Sequence, residues 1–150
     1  MQELKDRIVK EGKVLPGNII KVDGFLNHRI DTELMDHIAE EFGKHFNMDE
    51  VTMILTAEAS GIALSAIVAH HFHKPMIFAK KAKSDNIEGG LYQSDIFSYT
   101  YKKKVTLLVS KEWLSADDKV LIIDDFMANG EAMRGLCDIV TAAGATLVGI

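Results

Sequence analysis

The chain is poor in several features that would assign a protein to a particular class. It has one cysteine, Cys137, in 150 residues, so an internal disulfide framework is impossible and a reducing compartment is favoured. No apolar run approaches the roughly 18 residues that a membrane-spanning helix needs. The charged start, Met1–Arg7, lacks the apolar stretch of a signal peptide. We therefore expect a cytoplasmic protein with no membrane partner.

Positive charge is also scarce, with 17 Lys and Arg against 22 Asp and Glu and a net charge of -5. A nucleic-acid partner favours a basic face, so this balance argues against one. The glycine fingerprints of dinucleotide-binding folds and P-loops are absent, which disfavours a plain nucleotide-binding domain. Small anionic ligands stay possible, because local loops bind them whatever the net charge.

The order of elements predicts an α/β fold in one domain spanning residues 1–150. Helices are predicted at 2–11, 32–46, 61–72 and 131–143, and strands at 51–56, 76–79, 105–109, 119–124 and from 146 onward. Their alternation favours a parallel sheet with helices on both faces. The chain stops within an apolar run that is typical of a buried strand, so we expect that a C-terminal part is missing.

The stretch from Val120 to Ala132 carries the strongest chemical signal. An apolar strand ends in Asp124 and Asp125, a loop of small residues follows, and a helix begins directly after it. In a parallel sheet, ligands lie beyond the carboxyl ends of the strands, and the loop with the helix N-terminus can bind an anion. The two carboxylates suit sugar hydroxyls or the waters of a divalent cation. These features together indicate an activated sugar phosphate, although a solvated strand end followed by a helix cap gives the same pattern.

The phrase Ile-Ile-Asp-Asp-Phe-Met-Ala-Asn-Gly, at 122–130, resembles the motif by which type I phosphoribosyltransferases bind phosphoribosyl pyrophosphate (PRPP). Its Asn-Gly, where the motif usually has Thr-Gly, is similar to the bacterial xanthine phosphoribosyltransferases in particular. The resemblance covers essentially the whole chain. It implies a type I phosphoribosyltransferase-like parallel sheet flanked by helices, with an N-terminal hood segment at about 12–30 and a flexible loop at about 82–104. It also assigns the 5′-phosphate of PRPP to five consecutive residues, Ala128, Asn129, Gly130, Glu131 and Ala132.

The segment from Lys21 to His28 is similar to the part of these enzymes that helps to form the hood over the base. The resemblance implies that Ile20 and Asn27 contact the purine. An asparagine amide suits a base edge, because it offers both a donor and an acceptor. Capping of a turn is the alternative role for Asn27.

Two further segments resemble the parts that bind pyrophosphate. Residues 56–63 resemble the pyrophosphate loop, which implies binding by Glu58, Ala59, Ser60 and Gly61. Residues 78–84 resemble a basic pair, represented here by Lys80 and Lys81, and Lys80 lacks the bidentate fork of the usual arginine. An ordinary strand-to-helix turn and a solvated basic run are the alternatives. The implied catalytic residues are Asp124, Asp125 and Lys81.

The resemblance implies conversion of xanthine and PRPP to xanthosine 5′-monophosphate and pyrophosphate by a homodimer. Mg²⁺ would arrive with PRPP, and no residue is assigned as a direct metal ligand. Hypoxanthine, guanine, adenine or orotate are alternative bases. A PRPP-sensing transcription regulator built on the same fold is the alternative from another class, disfavoured by the acidity and by the lack of residues for a DNA-binding module.

Overall fold

The computed structural model describes residues 1–17, 19–81, 90–98 and 103–150. Four helices and eight strands are assigned within these ranges. The helices are α1 (Gln2–Glu11), α2 (Thr32–His45), α3 (Gly61–His71) and α4 (Glu131–Ala143). The strands are β1 (Lys13–Leu15), β2 (Ile19–Lys21), β3 (Met53–Ala57), β4 (Met76–Ala79), β5 (Leu91–Ser98), β6 (Lys103–Ser110), β7 (Lys119–Ile122) and β8 (Thr146–Gly149).

The centre of the molecule is a four-stranded parallel sheet in the order β4-β3-β7-β8. Leu55 of β3 pairs with Ile77 of β4 on one side and with Ile122 of β7 on the other. The central strands read as continuous apolar runs because both of their faces are buried. The parallel sheet predicted from the sequence is therefore confirmed.

Side chains of β3 and β7 alternate between two hydrophobic cores, as the period of a strand requires. Ile54 and Leu121 enter the first core, which also contains residues of α2 and α3. Leu55 and Ile122 enter the second core, which contains residues of α4, β5 and β6. Helices thus cover both faces of the sheet.

An antiparallel hairpin, β5–β6, packs over the second core. Its eight cross-strand pairs run from Leu91↔Ser110 to Ser98↔Lys103, and Lys80 joins β6 to the end of β4 through a bridge to Leu108. Residues 91–98 and 103–104 of the segment expected to be a flexible loop, 82–104, are paired in this hairpin. Residues 82–89 and 99–102 of that segment lie outside the described residues.

The N-terminal region rests on the first core. The turn after β2 buries Val22, Phe25 and Leu26 there, whereas β1 and β2 form a small antiparallel hairpin that is exposed along its length. Asp31 caps α2, since its Oδ1 accepts a hydrogen bond of 3.2 Å from the backbone N–H of Leu34.

The last strand forms where it was predicted, but it is not buried. Leu147 of β8 is 39% exposed and Ile150 is 52% exposed, because β8 is an edge strand of the sheet. Cys137 on α4 is partly buried against the second core, and this burial raises the pKa of its thiol. Within the described ranges, no helix has the length and apolar character that crossing a membrane requires.

Candidate active site

The candidate site lies at one edge of the sheet, where β3, β4 and β7 end. Ala57, Ala79 and Ile122 are the last residues of these strands. Because the strands are parallel, the segments that follow them emerge side by side. These segments are the ones that the sequence assigned to pyrophosphate, to the lysine pair and to ribose with phosphate.

Asp125 connects three segments that are distant in sequence. Its Oδ1 accepts a hydrogen bond of 2.8 Å from Ser60 Oγ, and its Oδ2 accepts one of 3.0 Å from Asn27 Nδ2. The separations along the chain are 65 and 98 residues. The anchored turn of Val22, Phe25 and Leu26 positions Asn27 for this contact. The residues assigned to base, pyrophosphate and ribose therefore meet at one carboxylate.

Asp124 has a different environment from its neighbour. Burial raises its pKa to about 7, and a hydrogen bond and the charge of Asp125 add to the rise. The backbone N–H of Asp125 donates a 2.9 Å hydrogen bond to Asp124 Oδ1, and with the nearby charge of Lys81 it opposes the rise. Asp124 is thus a half-buried carboxyl group that exchanges its proton near neutral pH.

Gly61, the first residue of α3, fits tightly against Asp124. A Cβ atom at this position would lie 2.5 Å from Asp124 Oδ1, and it would overlap Thr56 Oγ1 as well. No larger residue could occupy this place without moving one of the two oxygens. Gly61 therefore lets the start of α3 approach the end of β7.

The pyrophosphate loop and the lysine pair are also in contact. Glu58 accepts a hydrogen bond from the backbone N–H of Lys81, and the N–H of Glu58 donates to the carbonyl of Ala79 at 3.0 Å. The peptide bond between Glu58 and Ala59 is cis. Lys80 carries the bridge to β6 on its backbone. This loop is therefore held between the ends of β3 and β4.

The loop before α4 has the geometry of an anion site. Ala128 and Gly130 have positive φ angles of 46° and 79°, and α4 begins without a side-chain cap. Residues 126–129 are exposed, and the space beside Gly130 is open. Backbone N–H groups in such a turn at a helix N-terminus can bind a phosphate.

Glu131 is the exception within this loop, because its side chain has partners on α4 and on the hairpin. Arg134 Nη2 donates to its Oε2 at 3.1 Å, and the backbone N–H of Phe97 donates to the same oxygen at 3.2 Å. Arg134 lowers the pKa of this carboxyl group. The side chain of Glu131 is therefore engaged by other parts of the protein.

Ile20 remains apart from this cluster. It lies in β2 and is 48% exposed, with no place in either hydrophobic core. Its predicted contact with the base therefore stays a prediction.

A Mg²⁺ ion that arrives with PRPP would fit the donors present. The described part of the chain contains no group of three or more His, Cys, Asp or Glu residues that could hold a metal ion. Mg²⁺ usually keeps several waters and binds through one or two carboxylates together with substrate phosphates. Asp124 and Asp125 would face such an ion through its waters.

Two residues near the site were not singled out from the sequence. Thr56 is a fully buried threonine in an otherwise apolar strand, and that polarity was the available signal. Arg134 pairs with Glu131 and with Asp138, as the i,i+3 and i,i+4 spacing on a helix would have indicated.

Comparison with known proteins identifies the family. Residues 25–150 match the family model described as "Phosphoribosyl transferase domain". All 150 residues align at 53% identity with a xanthine phosphoribosyltransferase of Lachnoclostridium phytofermentans, covering 77% of its length. A protein of the same name from Lacticaseibacillus casei is 48% identical, with 78% of its length covered.

Solved structures give the same fold. An adenine phosphoribosyltransferase from Trypanosoma brucei, in complex with AMP, pyrophosphate and ribose-5-phosphate, superposes with a TM-score of 0.74 at 26% identity. The alignment covers 98% of this chain and 66% of that one. The adenine enzyme from Giardia lamblia gives a TM-score of 0.78 at 23% identity, over 95% of this chain and 78% of that one. The chain therefore belongs to the phosphoribosyl transferase family, with a type I fold.

Proposed function

We propose that this protein transfers the phosphoribosyl group of PRPP to xanthine, producing xanthosine 5′-monophosphate and pyrophosphate. The observation that carries the proposal is the pair of hydrogen bonds at Asp125, which join it to Asn27 and Ser60. A single carboxylate thereby connects the residues assigned to the base, the ribose and the leaving group. Such a junction suits an enzyme that must hold all three parts in one geometry.

The reaction forms a bond between a purine ring nitrogen and C1 of the ribose and breaks the bond from C1 to pyrophosphate, while the base loses a proton. Positive charge develops on the sugar, as in other glycosyl transfers. We assign Asp124 and Asp125 to the ribose hydroxyls, where their negative charge would stabilise that transition state. Ser60 and Asn27 hold Asp125 in place for this role.

The two phosphate-bearing ends of PRPP have separate places. The backbone of residues 128–132 would bind the 5′-phosphate. The loop of Glu58 to Gly61 would bind pyrophosphate, with Lys80 and Lys81 supplying positive charge. Mg²⁺ bound to PRPP would neutralise pyrophosphate and make it a better leaving group. Closure of residues 82–104 over the site, together with the hairpin to which part of this segment belongs, would exclude water and limit hydrolysis of PRPP.

Xanthine is the favoured base because relatives at 53% and 48% identity carry the name xanthine phosphoribosyltransferase. Xanthine differs from hypoxanthine by a carbonyl at C2. A site with donors for that carbonyl would reject hypoxanthine sharply, because its buried polar groups would be left unpaired. We place Ile20 and Asn27 on the side of the site that contacts the base.

We also propose a cytoplasmic location and a homodimeric assembly. The single cysteine in the sequence supports a reducing compartment. The assembly follows from the resemblance to the family, and sedimentation of the purified protein would test it directly.

The decisive experiment measures pyrophosphate release from Mg²⁺ and PRPP with xanthine, hypoxanthine, guanine, adenine and orotate in parallel. A strong preference for xanthine is expected. Preference for another base would keep the PRPP site and refute the assignment of the base. Measurable PRPP binding with no turnover on any base would instead favour a PRPP-sensing regulator.

Asp125→Asn tests the assigned ribose role. The substitution keeps the shape of the side chain but removes its charge, so we expect kcat/KM to fall about 100-fold or more, as for loss of an electrostatic group at a transition state. Unchanged turnover together with unchanged affinity for PRPP would refute the role.

A further inference from the structure

Thr56 presents a buried hydroxyl group beside the site. The residue is fully buried near the end of β3, between Leu55 and Ala57 of the second core. Its Oγ1 has no hydrogen-bond partner in the described part of the chain. Buried hydroxyls are normally paired, because an unpaired one loses its bonds to water without replacement. Such an exception at a functional site calls for an explanation.

The position of this hydroxyl places it near an acceptor, the carboxylate of Asp124. A Cβ atom added to Gly61 would come very close to two oxygen atoms, Thr56 Oγ1 and Asp124 Oδ1. An added methyl group would overlap both oxygens, so Thr56 and Asp124 approach the same side of Gly61 and leave no room for a side chain between them. Asp124 Oδ1 already accepts the 2.9 Å bond from the N–H of Asp125, and a carboxylate oxygen can accept a second one.

We propose that Thr56 is a positioning residue whose hydroxyl donates to the Asp124 carboxylate when PRPP occupies the site. This inference deepens the proposed function and rests on it, since the ribose role of Asp124 belongs to that proposal. The bond would fix the carboxylate in the orientation that accepts the ribose hydroxyls. It would also favour the charged form of Asp124, because a donor stabilises a carboxylate and not its protonated form.

The raised pKa of Asp124 is consistent with this role. A value of about 7 means that the free protein holds a mixture of protonated and ionised Asp124 at neutral pH. When PRPP is bound, the Thr56 hydroxyl would stabilise the ionised form of Asp124 by donating a hydrogen bond to it.

The test compares Thr56→Val with Thr56→Ser and with a control threonine, Thr52, that directly precedes the same strand. Valine has nearly the shape of threonine, so it removes the hydroxyl and keeps the packing. Thr52→Val is the control, because Thr52 Oγ1 donates a 3.0 Å hydrogen bond to Asp118 and accepts one of 2.9 Å from the N–H of Lys119, at the end of β3 that points away from the site. Each protein is measured by calorimetric titration with Mg²⁺–PRPP, by thermal unfolding and by steady-state kinetics with xanthine.

We expect opposite results from the two valine variants. Thr56→Val should weaken PRPP binding by about tenfold, since a hydrogen bond to a charged group is lost, with no fall in the melting temperature of the free protein and no change in KM for xanthine. Thr56→Ser should restore PRPP affinity to within about twofold of the wild type, because it returns the donor. Thr52→Val should melt at a lower temperature and bind PRPP as the wild type does.

Two results would overturn the inference. If Thr56→Val has the PRPP affinity and the turnover of the wild type, the hydroxyl has no part in the site. A loss of PRPP affinity that Thr56→Ser fails to restore would assign Thr56 a packing role only. A wild-type protein that neither binds PRPP nor releases pyrophosphate is a distinct outcome, and it would refute the proposed function and the inference together.

Discussion

The side of the site assigned to PRPP is built on the sheet, whereas the side assigned to the purine is built on a small exposed hairpin and the turn that follows it. On the PRPP side, Asp124, Gly61 and Glu58 lie within four residues of the ends of buried strands and contact one another or their neighbouring loops. On the base side, β1 and β2 have three residues each, and all six are exposed. A hydrogen bond from Asn27 to Asp125 connects the base side to the PRPP side.

This difference separates two tasks. Groups on rigid elements hold a ligand more accurately than groups on loops, and the sugar phosphate is the part at which bonds form and break. The base requires discrimination, which a peripheral segment can provide by a few contacts. We therefore expect substitutions on the sheet side to affect PRPP binding and turnover, and substitutions in the hairpin to affect the choice and affinity of the base.

Among the substitutions that test this difference, Gly61→Ala should have the largest effect. The added methyl group would overlap Thr56 Oγ1 and lie 2.5 Å from Asp124 Oδ1, and overpacking of this kind costs about 1–3 kcal/mol. The melting temperature should fall by several degrees and PRPP affinity by tenfold or more, since about 1.4 kcal/mol is a factor of ten. Gly24→Ala on the base side is the stability control, because nothing lies within 4 Å of its added methyl group. Equal stability of the two variants would contradict the tight fit.

Asp124→Asn should change how stability depends on pH. The pKa of Asp124 rises on folding from 3.8 to about 7, so the folded state binds more protons than the unfolded state between these values. The contribution to stability is complete below pH 3.8 and is lost as the pH rises toward 7. Asparagine carries no charge, so the variant avoids this loss. The melting temperature of the variant minus that of the wild type, measured in matched buffers, should therefore be a few degrees higher at pH 8 than at pH 5. A difference that is the same at both pH values would refute the buried position of the charge.

Arg134→Met should have a moderate effect on the phosphate loop. Without Arg134, the negative charge of Glu131 would be unpaired at the start of α4 and would oppose an incoming phosphate. We expect KM for PRPP to rise about threefold, with KM for xanthine unchanged. The double variant Glu131→Gln with Arg134→Met should recover most of this loss, because both charges are then absent. If KM for PRPP is as high in the double variant as in Arg134→Met, the effect arises from packing and not from charge.

An effect of similar size, on the base and not on PRPP, is expected from Ile20→Ala in the hairpin. Loss of an apolar contact with the base should raise KM for xanthine about threefold and leave KM for PRPP unchanged. Ile19→Ala is the matched control, since neighbouring residues of a strand face opposite sides and Ile19 is 57% exposed. An effect of Ile20→Ala on PRPP alone would show that the two sides are not separate.

The regular elements of the sheet and its helices could be predicted from the sequence. The apolar run of β7 and the stripe of α2 have the periods of a buried strand and an amphipathic helix. The motif at 122–130 also located the edge of the sheet that carries the site. Local patterns of this kind show which side chains are buried, because those side chains form the hydrophobic core.

The β5 strand shows why other parts could not be predicted. Ser94 and Ile96 face inward, so the buried side of this strand includes a serine. The hydroxyl of Ser94 donates to Asp138 on α4 at 2.8 Å, and this distant partner makes its burial possible. The sequence alone therefore shows a weak apolar pattern and suggests a loop.

The contacts within the site were equally out of reach of the sequence. The resemblance named Asn27, Ser60 and Asp125 as separate contributors, but nothing local shows that their side chains are bonded to one another. These bonds depend on how segments 65 and 98 residues apart are packed. The same holds for Thr56, whose importance follows from its place beside Gly61.

The partial burial of Cys137 has a practical consequence for spectroscopy. Since burial raises the pKa of this thiol, a maleimide dye at neutral pH should react much faster with an introduced cysteine at an exposed position. Lys104→Cys on β6 is such a position, at the end of the segment whose closure over PRPP is proposed. A single fluorophore there could follow that closure in real time without removing the native cysteine.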